Sequence, residues 1–279
     1  MYSRKSILKH SRVYNRKRKR LIGKVIAVVF AVVVILFSLS YVSGISATTI
    51  HAVQVVGADS ANASLIEKVA RGELEGKYFH FISRANSLFF PKQKIENDIL
   101  NTFPSVESVK VTRADVHTLL IKITEREPFA FWCTGKVTSL PPANAKCYLL
   151  DKDGLIFAEA SDPLPPNLLT YSGAVEKQTD PIGEHFLTSD DLHNLSAFLE
   201  FLGALHITPL FIVADSGGEL EVHIEGGHKL LLRTGMPYDT ALQNLESLFN
   251  DSTLDWGEKG IPTTLEYIDL RFDNKVFYK

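Results

Sequence analysis

Residues 1–24 carry ten Lys or Arg and no acid, and Val25–Ile50 then carries no charged residue at all. That step constrains the fold more than any other feature. The hydrocarbon core of a bilayer is about 30 Å thick and is crossed by roughly 20 helical residues. The run from Val25 to Leu39 is built from Val, Ile, Ala, Phe and Leu, broken by one Ser, and such side chains favour lipid. The basic segment predicts a cytoplasmic N-terminus, with the first acid, Asp59, and the rest of the chain on the outer side.

Two other readings fit part of this pattern. A cleaved signal peptide has a basic start, an apolar stretch and small residues such as Ser43-Gly44-Ile45-Ser46-Ala47. The basic region and apolar run here exceed its usual lengths, so an uncleaved anchor is the expectation. A buried core helix fits poorly beside Arg16-Lys17-Arg18-Lys19-Arg20. The same cluster reads as attraction to anionic headgroups before nucleic-acid binding.

The near-neutral total conceals an asymmetry. Of 30 basic residues ten lie in the tail, leaving 20 against 32 acids and a net charge of −12 over residues 25–279. An acidic outer part argues against a nucleic-acid partner. The expected division is a basic tail (1–20), a transmembrane helix (21–44), a small α/β domain (45–125) and a β-rich domain (126–279).

Residues 50–125 read as strand, helix, helix, strand, strand: a three-stranded sheet covered by two helices. Ile50–Val56 is a strand ended by Gly57. Ser64 and Glu67 have capping-box spacing and predict a helix start, with Leu65, Ile66, Val69 and Ala70 on one side and a stop near Gly72. Pro91 suits the first turn of the second helix, whose Ile95, Ile99 and Phe103 face the core. Pro104 breaks it. Val106–Arg113 and His117–Thr124 follow as strands around Ala114-Asp115-Val116, with Leu119, Ile121 and Ile123 alternating with Leu120, Lys122 and Thr124.

Beyond Glu125-Arg126-Glu127-Pro128, read as a solvated strand end with structural ion pairs, the chain is strand-rich with two inserted helices. Cys133 and Cys147 flank Thr134–Lys146, a loop containing Gly135, Pro141 and Pro142. An oxidising compartment allows them to pair, and buried free thiols are the alternative. Asp151, Asp153 and Gly154 mark a turn, because no Glu closes a calcium loop. Pro163–Pro166 marks an exposed connection. Thr188 caps a helix with Leu192, Leu195, Leu199 and Leu202 on one stripe and His193 in solvent. Leu220, Val222 and Ile224 alternate with Glu219, Glu221 and His223. Gly226-Gly227 forms a two-residue hairpin turn. Pro237 opens the last helix, with Leu242, Leu245 and Phe249 inward. The chain closes with strand-like Leu265–Phe272, a turn at Asp273-Asn274, and Lys275–Tyr278.

No nucleophile–base pair, phosphate loop or HExxH helix is present, so no catalytic residue, cofactor or metal site is predicted. His223 and His228 lie on opposite strands of a hairpin, where they approach each other without an evident third ligand.

The run Phe103-Pro104-Ser105-Val106 to Arg113, then Thr118–Glu125, Arg126, Pro128 and Ala130, resembles the FtsQ/DivIB family of bacterial cell-division proteins. Val53-Gln54-Val55-Val56-Gly57 at the first strand and Leu149-Leu150-Asp151 to Phe157 in the later hairpin extend the likeness. Val116 stands where that family has Pro. The resemblance implies an α+β chain with a single transmembrane helix, a POTRA-type βααββ domain and a mixed β-rich domain with two helices. It also implies a non-enzymatic scaffold in the inner cell membrane at the division septum, with FtsB/DivIC-type and FtsL-type partners and other divisome members. Leu265–Asp273 resembles the family's last strand, which receives a partner strand at its edge. Tyr267, Arg271 and Phe272 are then contact residues, with Phe272 replacing the family's Tyr, and Val276 and Phe277 extend the set. Arg271 is expected to meet a partner acid and Phe272 an apolar pocket. A POTRA-bearing transport component and an anchored wall hydrolase with an unrecognised site are the alternatives.

Overall fold

The computed structural model describes residues 5–43, 45–79, 82–140, 142, 145–161, 167–173, 175–177, 179–249, 265–272 and 275–279. The Pro163–Pro166 connection, Pro141, the Asp273-Asn274 turn and Gly44 of the cleavage alternative lie outside them. Among the described residues the fold is mixed α/β with five α-helices, and the chain divides into two compact units at Thr124/Glu125.

Helix α1 runs over Lys5–Ser43. It begins inside the basic tail, well before residue 21, because Lys and Arg are good helix formers and nothing there breaks the ladder. Within it Arg18–Ser38 has mean hydropathy 2.8 and none of it is buried in the protein. This helix is long and apolar enough to cross a membrane, and a helix satisfies its own backbone there.

The first unit continues with β1 (Ala52–Val56), α2 (Ser60–Leu74), the short hairpin β2 (Lys77–Tyr78) and β3 (Ile82–Ser83), α3 (Lys92–Thr102), β4 (Val106–Arg113) and β5 (Thr118–Glu125). The sheet order is β1-β5-β4. β1 lies parallel to β5, from Ala52 opposite Thr118 to Val56 opposite Lys122. Leu119, Ile121 and Ile123 point into a core with Ile66 and Ala70 of α2 and with Ile95 and Ile99 of α3. Strand alternation and helical spacing thus bury complementary faces.

Two details depart from expectation. α2 starts at Ser60, a full turn before Ser64, with Asp59 at the N-cap position and no side-chain cap. Leu65 is consequently exposed, while Ile66 and Ala70 carry the buried stripe. The β2–β3 hairpin was unsigned, since two residues per strand give no alternation to read. Gly57 has φ +87°, and a Cβ there would stand 2.2 Å from the Ile123 carbonyl oxygen, so only Gly permits that close approach.

The second unit contains β6 (Ala130–Cys133), β7 (Cys147–Leu150), β8 (Ile156–Glu159), β9 (Thr170–Gly173), α4 (Ser189–Ala204), β10 (Pro209–Ala214), β11 (Glu219–Ile224), β12 (Lys229–Arg233), α5 (Tyr238–Phe249), β13 (Tyr267–Asp269) and β14 (Phe277–Tyr278). They form a mixed nine-stranded sheet in the order β14-β13-β12-β11-β10-β9-β6-β7-β8. One face joins Ile212, Leu220, Val222, Leu230 and Ile268 to Leu192, Leu195 and Phe198 of α4 and to Ala241, Leu245 and Leu248 of α5. The other face holds a smaller cluster of Phe131, Cys133, Val137, Phe211 and Val213. Leu248 and Ala241 carry the α5 stripe along with Leu245; the side chain of Phe249 lies outside the described residues.

The caps and turns explain the connections. Thr188 Oγ1 accepts the Asp191 N–H at 3.1 Å, as an N-cap does. Asp151 Oδ1 accepts the N–H groups of Asp153 and Leu155 at 2.9 and 2.8 Å, while its Oδ2 takes a 2.6 Å hydrogen bond from Arg126 Nη1. Both carboxylate oxygens therefore close a turn and an ion pair. The β11–β12 loop has three residues, Glu225–Gly227, because Ile224 N–H bonds to His228 C=O; the Glu225 N–H donates to the Thr208 carbonyl, on the β10 side. Cys133 and Cys147 are direct cross-strand partners and are joined as a disulfide.

Candidate interaction edge at the C-terminal strands

The residues around β13 and β14 form one end of the sheet. β13 lies parallel to β12, with Tyr267 opposite Lys229 and Asp269 opposite Leu231. Its other side is covered by β14, with Ile268 opposite Tyr278 and Asp269 opposite Phe277. Tyr267 and Lys279 exchange both backbone hydrogen bonds at 3.3 Å. The expectation that Leu265–Asp273 is the open edge is thereby corrected: Tyr267 spends both backbone groups on Lys279, while the Glu266 C=O accepts from Lys229 and the Leu270 N–H donates to Leu231 on the β12 side. Among the described residues the edge is β14, and antiparallel alternation turns the N–H and C=O of Tyr278 away from β13.

β13 stops after three residues for a local reason. Asp269 Oδ1 accepts the Arg271 backbone N–H at 3.1 Å, an Asx-type bond that turns the chain out of the ladder. The Arg271 guanidinium then doubles back. Its Nε and Nη2 donate to the two oxygens of Asp269 at 2.8 and 2.6 Å, and its Nη1 donates to Glu219 at 2.6 Å. Burial alone would raise the Asp269 carboxyl, but the Arg271 hydrogen bonds and charge overcome it and hold the pKa below the ordinary value. Hydrogen bonding to Asp269 pushes Arg271 upward in turn. Arg271 is already paired within its own chain.

The apolar members separate by face. Val276 is half-buried and packs against the helix-side core. Phe277 stands opposite Asp269, on the face that carries Arg271. It meets Phe272 edge to face, with ring centroids 5.2 Å apart. Phe272, Phe277 and Tyr278 are 48, 49 and 44% exposed, and Asn244 Nδ2 of α5 donates to the Phe272 carbonyl at 3.2 Å. The structure thus brings Arg271, Phe272 and Phe277 together, keeps Tyr267 in the sheet interior, and adds Tyr278. Sequence reasoning missed Tyr278, Asp269 and Glu219. The Asp269-x-Arg271 spacing was the available signal, because residues i and i+2 share a strand face.

Beside Arg271 the open face of the sheet carries a cleft of about 480 Å³ lined by Lys136, Val213, Asp215, Glu221 and Leu231. The Glu221 carboxyl, raised by burial, is pulled below its ordinary pKa by Lys229 and Lys136. His223 stacks on Phe211 at 4.2 Å and lies 3.2 Å from Glu221. His228 is buried and hydrogen-bonded through Nδ1 to the Leu265 carbonyl. The two imidazoles lie on opposite faces of the sheet, since His223 stands opposite Lys229 and His228 opposite Ile224, and they do not approach each other. Among the described residues no group of three His, Cys, Asp or Glu side chains is arranged to hold a metal ion.

No family model matches this chain, and no curated protein matches it.

Proposed function

We propose that this chain is a bitopic membrane scaffold of the bacterial division complex, of the FtsQ/DivIB type, without chemistry of its own. The α1 helix anchors it with the basic tail in the cytoplasm, and the residues beyond α1 work outside, at the septum. The C-terminal edge accepts a strand from an FtsB/DivIC-type partner, itself paired with an FtsL-type protein.

The observation that carries this reading is the trio Phe272, Phe277 and Tyr278, half-exposed around a two-residue edge strand. An edge with outward backbone groups supplies hydrogen bonds to an added strand, and aromatic rings beside it supply desolvated contact. Arg271 acts as a positioning residue, because its guanidinium holds Asp269 and Glu219 and so fixes the turn that presents Phe272.

The test is binding of an FtsB-like segment to residues 45–279, together with midcell imaging of the tagged full-length chain. Replacing Phe272 and Phe277 together by Ala is expected to weaken binding at least about 10-fold, the loss of one aromatic anchor's energy. Unchanged binding, or a diffuse envelope signal in dividing cells, rejects the proposal.

A further inference from the structure

The first unit concentrates exposed apolar side chains where the chain leaves α1. Among the described residues outside α1, the three most exposed large hydrophobic residues are Phe79, Leu88 and Phe89, at 88, 69 and 59%. A folded surface rarely leaves such residues together without an occupant.

Their attachment places them next to the helix exit. The chain passes from Ser43 through a 3-10 turn at Ser46–Thr48. Thr49 bridges to Asn86, Ser87 N–H donates to the Thr48 carbonyl at 2.9 Å, and Ile50 N–H donates to the Ala85 carbonyl at 2.8 Å. Leu88 and Phe89 directly follow this clasp. Phe79 follows β2 in the hairpin whose other strand, β3, contacts α1. The β4–β5 turn reaches the same end: His51 N–H donates to His117 C=O at 2.8 Å, and Arg113 Nη1 donates to Ser87 C=O at 3.3 Å. That turn exposes Val116.

The depth agrees with an interfacial position. From Ser38, the end of the apolar window, α1 continues for five residues to Ser43, or about 7.5 Å of rise. The headgroup layer on each side of the hydrocarbon adds roughly 5–8 Å. Tyr41, in that stretch, is exposed, as aromatic residues are at membrane interfaces. The end of α1 at Ser43 therefore falls at headgroup level, where the apolar groups of an interfacial segment settle about 5–10 Å deep, at the headgroup and acyl boundary.

The geometry points to a second membrane contact: Leu88 and Phe89, supported by Phe79 and Val116, insert into the outer leaflet and seat the first unit on the lipid surface. This contact rests on the reading of α1 as a membrane span. It restricts the swing of the unit at the helix exit, because a unit held at two points does not pivot freely about Ser43.

The test uses full-length protein in phosphatidylcholine–phosphatidylglycerol vesicles with an environment-sensitive fluorophore on one introduced cysteine. The native cysteines are paired with each other and stay unlabelled. Labels replace Leu88, Phe89, Val33 within the span, and Leu65, exposed on α2. Lipid-borne nitroxide is expected to quench the labels at 88, 89 and 33, and aqueous iodide only the label at 65. If 88 and 89 respond to iodide as 65 does while 33 responds to lipid nitroxide, the leaflet contact is wrong and the span stands. If 33 ignores lipid nitroxide, the span reading fails and takes the contact with it. Protection of 88 and 89 from both quenchers means a protein covers them, which also overturns the contact.

Discussion

Arg271 grips the carboxylate of Asp269 with two hydrogen bonds, at 2.8 and 2.6 Å, from a position only two residues away. Asp269 is nearly buried, whereas Arg271 is partly open and also reaches Glu219 on β11. Removing the guanidinium leaves a buried carboxylate without its partner, and that asymmetry sets the cost. Arg271→Ala is expected to destabilise the second unit by about 2 kcal/mol. The double change Arg271→Ala with Asp269→Ala should lose less than the two single changes combined. Urea denaturation of residues 45–279 measures both, and additive losses would show that the pair is not coupled.

The same pair sets an acid limb. The folded pKa of Asp269 lies below the ordinary value, so its contribution is full above the unfolded pKa, near 3.8. It is lost as pH falls from there through the lowered folded value. Stability of the wild-type protein should decline over that interval more steeply than stability of Asp269→Asn. Parallel curves for the two proteins below about pH 4 would remove Asp269 from the account.

Much of the fold was legible where periodicity is long enough to read. Leu119, Ile121 and Ile123 alternate over a whole strand, and Leu192, Leu195, Leu199 and Leu202 mark a four-turn helix opened by Thr188; each is buried as its pattern implies. The first helix after β1 was misplaced because Ser60–Ala63 carries no apolar stripe, and Ser64 offers a local cap that the helix bypasses. The C-terminal edge was legible only in part. A two-residue strand such as β14 has no period, so nothing local says that Phe277 and Tyr278 cover β13. The grip of Glu219 on Arg271 spans 52 residues of sequence and is a tertiary fact.

The Cys133–Cys147 bridge closes a loop with a sequence separation of 14 on adjacent strands. In the chain-entropy model a loop of that size restrains the unfolded chain by roughly 3 kcal/mol. Replacing both cysteines by Ala should lower the unfolding free energy of residues 45–279 by about 2–3 kcal/mol, with Cys133 leaving a small buried gap. Equal denaturant midpoints for the oxidised protein and the double variant would show that the bridge adds nothing.

Gly173 ends β9 at φ +146°, and a Cβ there would lie 2.2 Å from the Ala214 carbonyl oxygen. β9 and β10 are paired at this position, Ala214 opposite Gly173, so neither backbone gives way cheaply. Gly173→Ala is expected to cost more than about 2 kcal/mol, well beyond the ordinary Gly-to-Ala difference. Gly203→Ala, where a Cβ meets open space in α4, should be neutral or stabilising by up to about 1 kcal/mol. Thermal unfolding of the two variants side by side measures this, and similar midpoints would refute the close approach.

His223 supplies a test near neutral pH. Burial lowers its pKa below the ordinary value of 6.5, and Glu221, 3.2 Å away, offsets only part of that effect. The unfolded chain therefore takes up a proton before the folded one does. Stability is unaffected above the unfolded pKa and falls as pH drops below about 6.5, until the folded imidazole also protonates. An NMR titration should place the His223 midpoint below about 6.5. His223→Phe keeps a flat ring over Phe211, whose centroid is 4.2 Å from the imidazole, and abolishes the titration. Its stability should fall less than wild type between pH 7 and about 5. A midpoint at or above about 6.5 would mean that Glu221, and not burial, governs this ring.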